Sequence, residues 1–387
     1  MRVLVASTPG AGHVFPLVPL AQVLEASGHD VLWAVPPSAV PTIEQLGMRA
    51  RPAGINRPEA TQRALALEPD FLDRFYALSA RERRAHLYPM VFVRIEGAQM
   101  LDDLRAITRE WAPDLVLHEP NAVAAAPLAV SSGGPHVVVG FGGFAPKWLY
   151  DAAADAMRAL WRKVELPVPP WGGLYDDLYL HPMPPAMGPE PFAPSIRPLR
   201  PMGFDGSRDG EPPSWLTDLG RTRPLVYVTF GTEIAGMAPF SAVLEGLAAQ
   251  DVDVLATVGR GVDPRSVSTG APNVRVEQYV PQRMVLERTA VMVSHAGSGA
   301  MLGAAARAIP QLCIPIAADQ PENADAVVGA GLGLAIEPEA VDADAVARSV
   351  AQLLDDGEFG RRARAVADEI AAMPEPAAMV PAIEALA

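Results

Sequence analysis

Residues 2–35 read RVLVASTPGAGHVFPLVPLAQVLEASGHDVLWAV, and this stretch decides the fold. It opens with a short apolar run, Arg2–Ser7, which is followed by the turn residues Pro9–Gly12. Leu17–Ala26 then carries apolar residues at helical spacing, and Asp30–Val35 is a second apolar run. The order strand, glycine-containing turn, helix, strand is typical of a parallel α/β unit.

The same pattern continues along the chain and restarts after a segment rich in proline and glycine. Further buried strands are predicted at 114–117, 135–139, 225–229, 252–258, 291–294 and 311–314. The sequence therefore predicts an α/β fold of two doubly wound, Rossmann-like domains that face each other across a cleft. We place the first domain at 1–202, a linker at 203–214 and the second domain at 215–387, with the last helix able to cross back to the first domain.

Composition excludes several classes of protein. The 387 residues are 50% hydrophobic and 20% charged, and the net charge of −14 disfavours binding to a nucleic-acid polymer. The smoothest apolar stretch, Ala122–Phe144, is interrupted by serine, glycine and proline, and Val3–Ala6 is too short for a signal peptide. The single cysteine, Cys313, excludes an internal disulfide. We expect a cytoplasmic enzyme that does not associate with membranes.

A strand-to-helix turn in the second half has the features of a phosphate site. Val291–Ser294 is the predicted strand, His295–Gly299 the turn and Ala300–Ala308 the helix. Glycines allow the backbone to approach an anion closely, and the amides at a helix start point towards it. His295 can donate a further hydrogen bond. Taken alone, this pattern favours an ordinary strand-to-helix turn.

Two neighbouring motifs strengthen the phosphate interpretation. Upstream, Tyr279 precedes Val280-Pro281-Gln282, and an aromatic ring beside a rigid dipeptide is suited to stacking on a base. Downstream, Asp319 and Gln320 follow a buried strand. A carboxylate next to a carboxamide can bind two neighbouring sugar hydroxyls.

The order of these motifs resembles the donor-binding signature of family 1 glycosyltransferases, which have the GT-B fold. It is most similar to the actinobacterial branch that decorates macrolides, aromatic polyketides and enediynes. The motifs are Val-Pro-Gln, Ser-His-Ala-Gly-Ser-Gly (294–299), the proline pair Pro310 and Pro315, and Asp-Gln-Pro-Glu-Asn-Ala (319–324). The resemblance extends over the whole chain and includes 12–16 and 230–232.

The resemblance implies a role for each motif. Tyr279 would stack on the nucleobase, and Val280 and Gln282 would lie at its edge. Asp319 and Gln320 would hold the sugar. The residues implied in diphosphate binding are Gly231, Thr232, His295, Gly297, Ser298 and Gly299.

One departure from the family pattern bears on the nucleotide. Gly303 occupies the place where members that use UDP-sugars carry a glutamate that binds both ribose hydroxyls. Without that carboxylate a 2′-deoxyribose loses no contact, so a dTDP-sugar is the expected co-substrate. No other cofactor is expected.

The catalytic candidates lie in the first half. Sugar transfer with inversion needs a base that takes a proton from the acceptor. His13 follows the first strand at its carboxyl end, where ligands bind in open parallel sheets, and histidine titrates near neutral pH. Glu119 follows the strand at 114–117, where the family carries a relay aspartate, and it would orient the imidazole. His118 is expected to point the other way.

Aromatic residues of the first half are expected to bind the acceptor. The candidates are Phe75, Tyr88, Phe92, Phe141 and Phe144. The pairs Asp251/Asp253 and Asp342/Asp344 have the spacing of a metal site, but they stand before a strand and at a helix start, so we interpret them as structural.

The sequence thus predicts a metal-independent glycosyltransferase of the hexosyltransferase type. It would move a deoxysugar from a dTDP-sugar to a small apolar aglycone, a polyketide, in antibiotic biosynthesis. The alternatives are a nucleotide-sugar epimerase of the same fold and a non-catalytic sugar-binding or activator protein. The identity of the sugar and aglycone, the bonded atom (oxygen, nitrogen or carbon) and a homodimer are left open.

Overall fold

The computed structural model describes residues 1–204, 206, 211–231, 235–259 and 261–387. The chain forms two units. The first comprises 1–182, 190–200 and 374–387, and the second comprises 183–189 and 201–373. The segment 183–189, which the sequence analysis placed in the first domain, belongs to the second unit because Met183 and Met187 pack into the core of that unit.

The first unit is built on a seven-stranded parallel sheet with the order β3-β2-β1-β4-β5-β6-β7. The chain leaves β1 towards one edge and returns at β4 on the other side of β1, so the strand order reverses between them. Val3 pairs with Leu115 and Ala6 with His118. The strands are β1 Arg2–Ala6, β2 Asp30–Val35, β3 Ala50–Pro52, β4 Leu115–His118, β5 His136–Val139, β6 Leu178–His181 and β7 Ile196–Pro198.

Helices cover this sheet, and one of them has an uncommon geometry. The segment Tyr88–Gly97 is a π-helix, which continues directly into α7. The α-helices of the unit are α1 Ala11–Val14, α2 Val18–Ala26, α3 Val40–Gln45, α4 Arg57–Leu67, α5 Phe71–Ala77, α6 Ala80–Leu87, α7 Ala98–Trp111, α8 Ala125–Ser132, α9 Lys147–Ala152 and α10 Ala154–Arg162.

The end of the chain also belongs to the first unit, where the last helix, Pro376–Glu384, packs against α2. The Arg200 amide donates to the Pro374 carbonyl at 2.7 Å. The side chains of His29 and Glu384 approach to 3.1 Å. These contacts fix 374–387 to the first unit.

The second unit repeats the architecture with a six-stranded parallel sheet in the order β10-β9-β8-β11-β12-β13. Its strands are β8 Leu225–Thr229, β9 Asp253–Thr257, β10 Val274–Glu277, β11 Thr289–Ser294, β12 Gln311–Cys313 and β13 Gly333–Ala335. Its α-helices are α11 Ser214–Asp218, α12 Phe240–Ala248, α13 Pro264–Val267, α14 Gln282–Leu286, α15 Ser298–Ala305, α16 Gln320–Gly329, α17 Ala343–Asp355 and α18 Gly357–Ala372.

The predicted fold class is confirmed, since two doubly wound parallel sheets are present and each predicted strand forms. Val3–Ala6 in β1 and Val226 and Val228 in β8 are fully buried, as expected of central parallel strands with helices on both faces. Among the described residues, no helix combines the length and apolar character needed to cross a membrane.

Close packing of two helices in the second unit depends on one glycine. A Cβ at Gly246 in α12 would lie 2.3 Å from the Ala343 carbonyl oxygen of α17. We therefore expect Gly246→Ala to lower the free energy of unfolding by about 1–3 kcal/mol, because backbone atoms must move apart. Urea denaturation measures this loss.

Gly360→Ala in α18 is the matched control, because a Cβ there meets nothing within 4 Å. That substitution should be neutral or stabilising by up to about 1 kcal/mol, the difference in helix propensity. Equal destabilisation by the two substitutions would contradict the packing argument.

Candidate active site

The reversal of strand order in the first sheet brings two loops together. Glu119 directly follows β4, and Thr8 follows the adjacent strand β1. The Thr8 amide and hydroxyl donate to Glu119 Oε1 at 3.0 and 2.7 Å, and the Asn121 amide donates to Oε2 at 2.5 Å. Glu119 is fully buried, so these bonds fix its carboxylate at the carboxyl end of the sheet.

His13, which lies in α1 after β1, faces this carboxylate. Its Nδ1 is 3.5 Å from Glu119 Oε2, and its side chain remains 19% exposed while that of Glu119 is 0% exposed. Burial raises the pKa of Glu119, but attraction to His13 and hydrogen bonds from His13 and Thr8 outweigh it, so the pKa lies below its ordinary value. An ionised carboxylate therefore lies beside a partly accessible imidazole.

A pair of buried histidines contacts the backbone of Glu119 through His118. His118 Nδ1 lies 2.9 Å from the Glu119 carbonyl oxygen, and its Nε2 lies 3.0 Å from His136 Nδ1. Burial lowers the pKa of His118 to about 3, so this ring is neutral. Because a carbonyl only accepts, His118 Nδ1 carries the proton and its Nε2 accepts from His136. These two hydrogen bonds fix the position of the backbone at Glu119. Sequence reasoning missed the role of His136, although the residue opens β5.

Aromatic rings surround His13. The Phe141 ring meets the imidazole edge-on at 5.2 Å, and the Phe92 ring lies at 5.9 Å. Tyr88 is buried and lies 5.9 Å from Phe92. The structure thus places three of the predicted acceptor residues, Tyr88, Phe92 and Phe141, around His13.

The other two predicted acceptor residues lie elsewhere in the first unit. The Phe144 ring stacks on His181 at 3.8 Å and packs with Tyr175 and Tyr179. The Phe75 ring has its contacts with Tyr76 and Arg83. Aromatic composition alone did not distinguish these positions from those beside His13.

In the second unit, His295 lies at the corresponding reversal, where β11 pairs with β8. A Cβ at Gly297 would lie 2.4 Å from His295 Nε2, and one at Gly231 would lie 3.1 Å from the same atom. The imidazole therefore fits only because residues 231 and 297 are both glycines. Burial lowers the pKa of His295 to about 4, so the ring is neutral at physiological pH.

The start of α15 is tied to the start of α16. Ser298 Oγ donates to Asp319 Oδ2 at 2.7 Å, and Asn323 Nδ2 lies 3.1 Å from the same oxygen. Gln320 Oε1 accepts the amides of Ile316 and Ala317 at 2.8 and 2.9 Å. The side-chain carbonyl of Gln320 is thus committed to its own loop, and its NH₂ group is the end that suits a ligand. Sequence reasoning assigned no role to Asn323.

The other predicted donor residues line the same end of this sheet. Tyr279 is 52% exposed, whereas Val280 is buried and Gln282 begins α14. A Cβ at Gly303 would lie 3.9 Å from Gln282 Oε1. Gly299 is exposed in the first turn of α15. Thr232 lies outside the described residues.

The Asp-x-Asp pairs have structural contacts. Asp253 accepts the Gly220 amide at 3.0 Å and pairs with Arg223, and Asp342 caps α17 by accepting the Ala345 amide at 2.6 Å. In the part of the chain that the structure describes, no three His, Cys, Asp or Glu side chains are grouped as metal ligands.

Comparison with known proteins identifies the family. Residues 22–174 and 241–386 match the N-terminal and C-terminal domains of the family described as erythromycin biosynthesis protein CIII-like. The L-demethylnoviosyl transferase of Streptomyces niveus is 30% identical over 100% of this chain and 98% of its own length. The elloramycin glycosyltransferase ElmGT of Streptomyces olivaceus is 31% identical over 97% of this chain and 95% of its own. The solved structure of spinosyn rhamnosyltransferase SpnG has a TM-score of 0.79 at 26% identity, with 100% of both chains covered.

The stack of His181 on Phe144 generates a prediction about acid stability. Burial lowers the pKa of His181 to about 4, whereas an unfolded histidine titrates near 6.5. Between these values the unfolded chain binds more protons, so the free energy of unfolding falls with falling pH by roughly 1 kcal/mol per pH unit for this group. For the first unit, His181→Leu should reduce the slope of the free energy of unfolding against pH by that amount between pH 6 and 4.5. Identical slopes in urea titrations of both proteins would contradict the assignment.

Proposed function

This chain belongs to the erythromycin biosynthesis protein CIII-like family of glycosyltransferases, and we propose that it moves a deoxysugar from dTDP to a small apolar acceptor in antibiotic biosynthesis. The observation that carries the proposal is the His13–Glu119 pair at the strand reversal of the first sheet. Such a pair is the usual means of removing a proton from a hydroxyl nucleophile.

The proposed chemistry is a displacement at the anomeric carbon. His13 Nε2 takes the acceptor proton while the acceptor oxygen forms the new bond, and the bond from the anomeric carbon to the diphosphate oxygen breaks. The electron pair leaves with dTDP, and the configuration inverts. The Glu119 carboxylate holds the Nδ1–H of His13 and stabilises the imidazolium that forms. An acceptor that attacks through nitrogen or an activated carbon would give up its proton to the same base.

Groups of the second unit are proposed to hold the donor. The free amides at the start of α15 donate hydrogen bonds to the diphosphate, and the neutral His295 lies against it, so the leaving group is stabilised without a metal ion. Asp319 and the NH₂ group of Gln320 bind hydroxyls of the sugar, and Tyr279 stacks on the base.

The choice of thymidine nucleotide is supported by Gly303 and by a relative. Gly303 presents no carboxylate to a 2′-hydroxyl. The structure of spinosyn rhamnosyltransferase SpnG has been determined with thymidine diphosphate, at 26% identity to this chain, and with the spinosyn aglycone, at 25%.

The acceptor is proposed to be a polyketide aglycone. The Phe92 and Phe141 rings beside His13 offer apolar surface to such a ligand. A relative named for its acceptor and sugar is the 10-deoxymethynolide desosaminyltransferase of Streptomyces venezuelae, 29% identical over 100% of this chain. A cytoplasmic location remains a prediction of the sequence.

The nucleotide preference can be measured by thermal shift. We expect dTDP to raise the melting temperature more than UDP at equal concentration, because nothing at Gly303 rewards the 2′-hydroxyl. Gly303→Glu should narrow or reverse the difference, since the nearest atom to a new Cβ is the Leu286 Cδ1 methyl at 3.3 Å, the end of a flexible side chain. Gly303→Gln has the same size without the charge and should keep the preference for dTDP. A larger shift with UDP in the unmodified protein would refute the assignment.

Binding and chemistry should separate in histidine variants. His13→Ala is expected to lower turnover by roughly 10²- to 10⁴-fold, the range for a general base, with dTDP affinity within a few-fold of the original. Glu119→Gln should show the same pattern more weakly. His295→Ala should lose dTDP affinity together with rate. Steady-state kinetics and calorimetry provide the measurements, and near-original turnover of His13→Ala on an aliphatic alcohol would exclude the proposed base.

A further inference from the structure

A second buried carboxylate lies near the base and has no part in the mechanism above. Glu96, in the π-helix, is 2% exposed, and it pairs with Arg57 Nη1 at 2.9 Å. Neither of its oxygens accepts a well-oriented hydrogen bond from the described part of the chain. A buried carboxylate usually has several such partners, so Glu96 requires an explanation.

The ion pair is joined to His13 through an aromatic ring. The Arg57 guanidinium lies over the Phe92 ring, 4.2 Å from its centre, and the same ring lies 5.9 Å from the His13 ring. The π-helix is also pressed against the segment that follows Glu119, because a Cβ at Gly97 would lie 2.8 Å from Val123 Cγ2. The pair therefore lies in the same cluster as the His13–Glu119 dyad.

The charges of this cluster act on one another. Burial raises the pKa of Glu96 to about 7, attraction to Arg57 and then to His13 lowers it, and repulsion by Glu119 raises it. The charged groups that face Glu96 are thus Arg57 from α4, His13 from α1 and Glu119 after β4. Interactions between charges at such sites are strong because little water screens them.

Stability gives little reason for such a pair. Removing two charges from water is costly, and an ion pair without further hydrogen bonds recovers this cost only in part. Apolar residues of similar volume often serve a fold equally well. The location beside the base offers a better reason.

We propose that Glu96 is a second acidic positioning residue for His13, whose negative charge stabilises the imidazolium during proton transfer, and that Arg57 favours the ionised form of Glu96. This inference rests on the proposed role of His13 as the base. Glu119 contacts the imidazole at Nδ1 and fixes its orientation, whereas Glu96 acts through space and contacts no reacting atom.

The direct test is the pKa of His13, followed by NMR of the imidazole and assigned with His13→Ala. Glu96→Gln removes the negative charge and leaves the Arg57 guanidinium unbalanced, so the pKa of His13 should fall by about 0.5 or more. Adding Arg57→Met to that variant also removes the guanidinium, so the pKa of His13 should rise part of the way back to its value in the unmodified protein. Glu96→Asp keeps the charge and should remain closer to the unmodified protein.

A matched control is available on the same helix as Arg57. Glu59 forms an exposed ion pair with Arg63 at 2.7 Å. Glu59→Gln therefore also removes one carboxylate charge, but from the solvent-exposed side of α4. The pKa of His13 should stay unchanged in this variant. A fall as large as that in Glu96→Gln would show a general charge effect and overturn the inference.

Kinetics provide an independent measurement. A lower pKa of His13 moves the acid limb of the pH profile of kcat/KM to lower pH and lowers the plateau, because the base is weaker. The KM for the dTDP-sugar should not change. A purely structural role of Glu96 would lower the melting temperature and leave the position of the acid limb unchanged, which would overturn the inference.

Reciprocity provides a test that leaves Glu96 in place if Glu96→Gln does not fold. Removing the imidazolium with His13→Gln should raise the pKa of the Glu96 carboxyl, measured by ¹³C NMR. An unchanged carboxyl pKa would overturn the inference. If Glu119→Gln lowers the pKa of His13 but Glu96→Gln does not, only this inference fails. If His13→Ala keeps full transfer activity, the proposed function of His13 fails with it.

Discussion

The parallel pairing of β1 with β4 is the constraint on which the first site depends. These strands are far apart in sequence but adjacent in the sheet, with Ala6 opposite His118, so the loops that follow them begin side by side. The pairing brings Thr8 within hydrogen-bond distance of Glu119 and places His13 3.5 Å from the same carboxylate. Pairing of β8 with β11 places Gly231 beside His295 in the same way.

The two histidines at these reversals have different surroundings, and their surroundings fit different tasks. His13 is partly exposed and faces an ionised carboxylate, so it can gain a proton and be stabilised as a cation. His295 is enclosed against Gly231 and Gly297, and burial lowers its pKa to about 4. A neutral ring fixed in this way suits hydrogen bonding to a ligand and is unsuited to carrying a proton at neutral pH.

The sequence predicted the features that depend on local pattern. Apolar runs located the strands, and residues that follow a strand at its carboxyl end, such as His13 and Glu119, could be expected to meet. Features that depend on tertiary packing could not be predicted. The apolar residues of Tyr88–Gly97 are equally compatible with an α-helix and with a π-helix. The sequence pattern therefore did not indicate that Glu96 would be buried beside Arg57. Phe144 and Phe92 are equivalent as residue types, but only Phe92 lies against His13.

The charges around His13 can be counted in the two states of the proposed reaction. In the state with Glu119 and Glu96 both ionised, Arg57 cationic and His13 neutral, the cluster has a net charge of −1. When His13 takes the acceptor proton, two carboxylates face two cations and the net charge is zero. In a site walled by Phe92, Phe141 and Tyr88, a net charge is costly, so neutralising it favours the proton-loaded state. With Glu119 alone and Arg57 retained, the same step would take the cluster from neutral to positive, and burial would oppose the transfer that the base must perform.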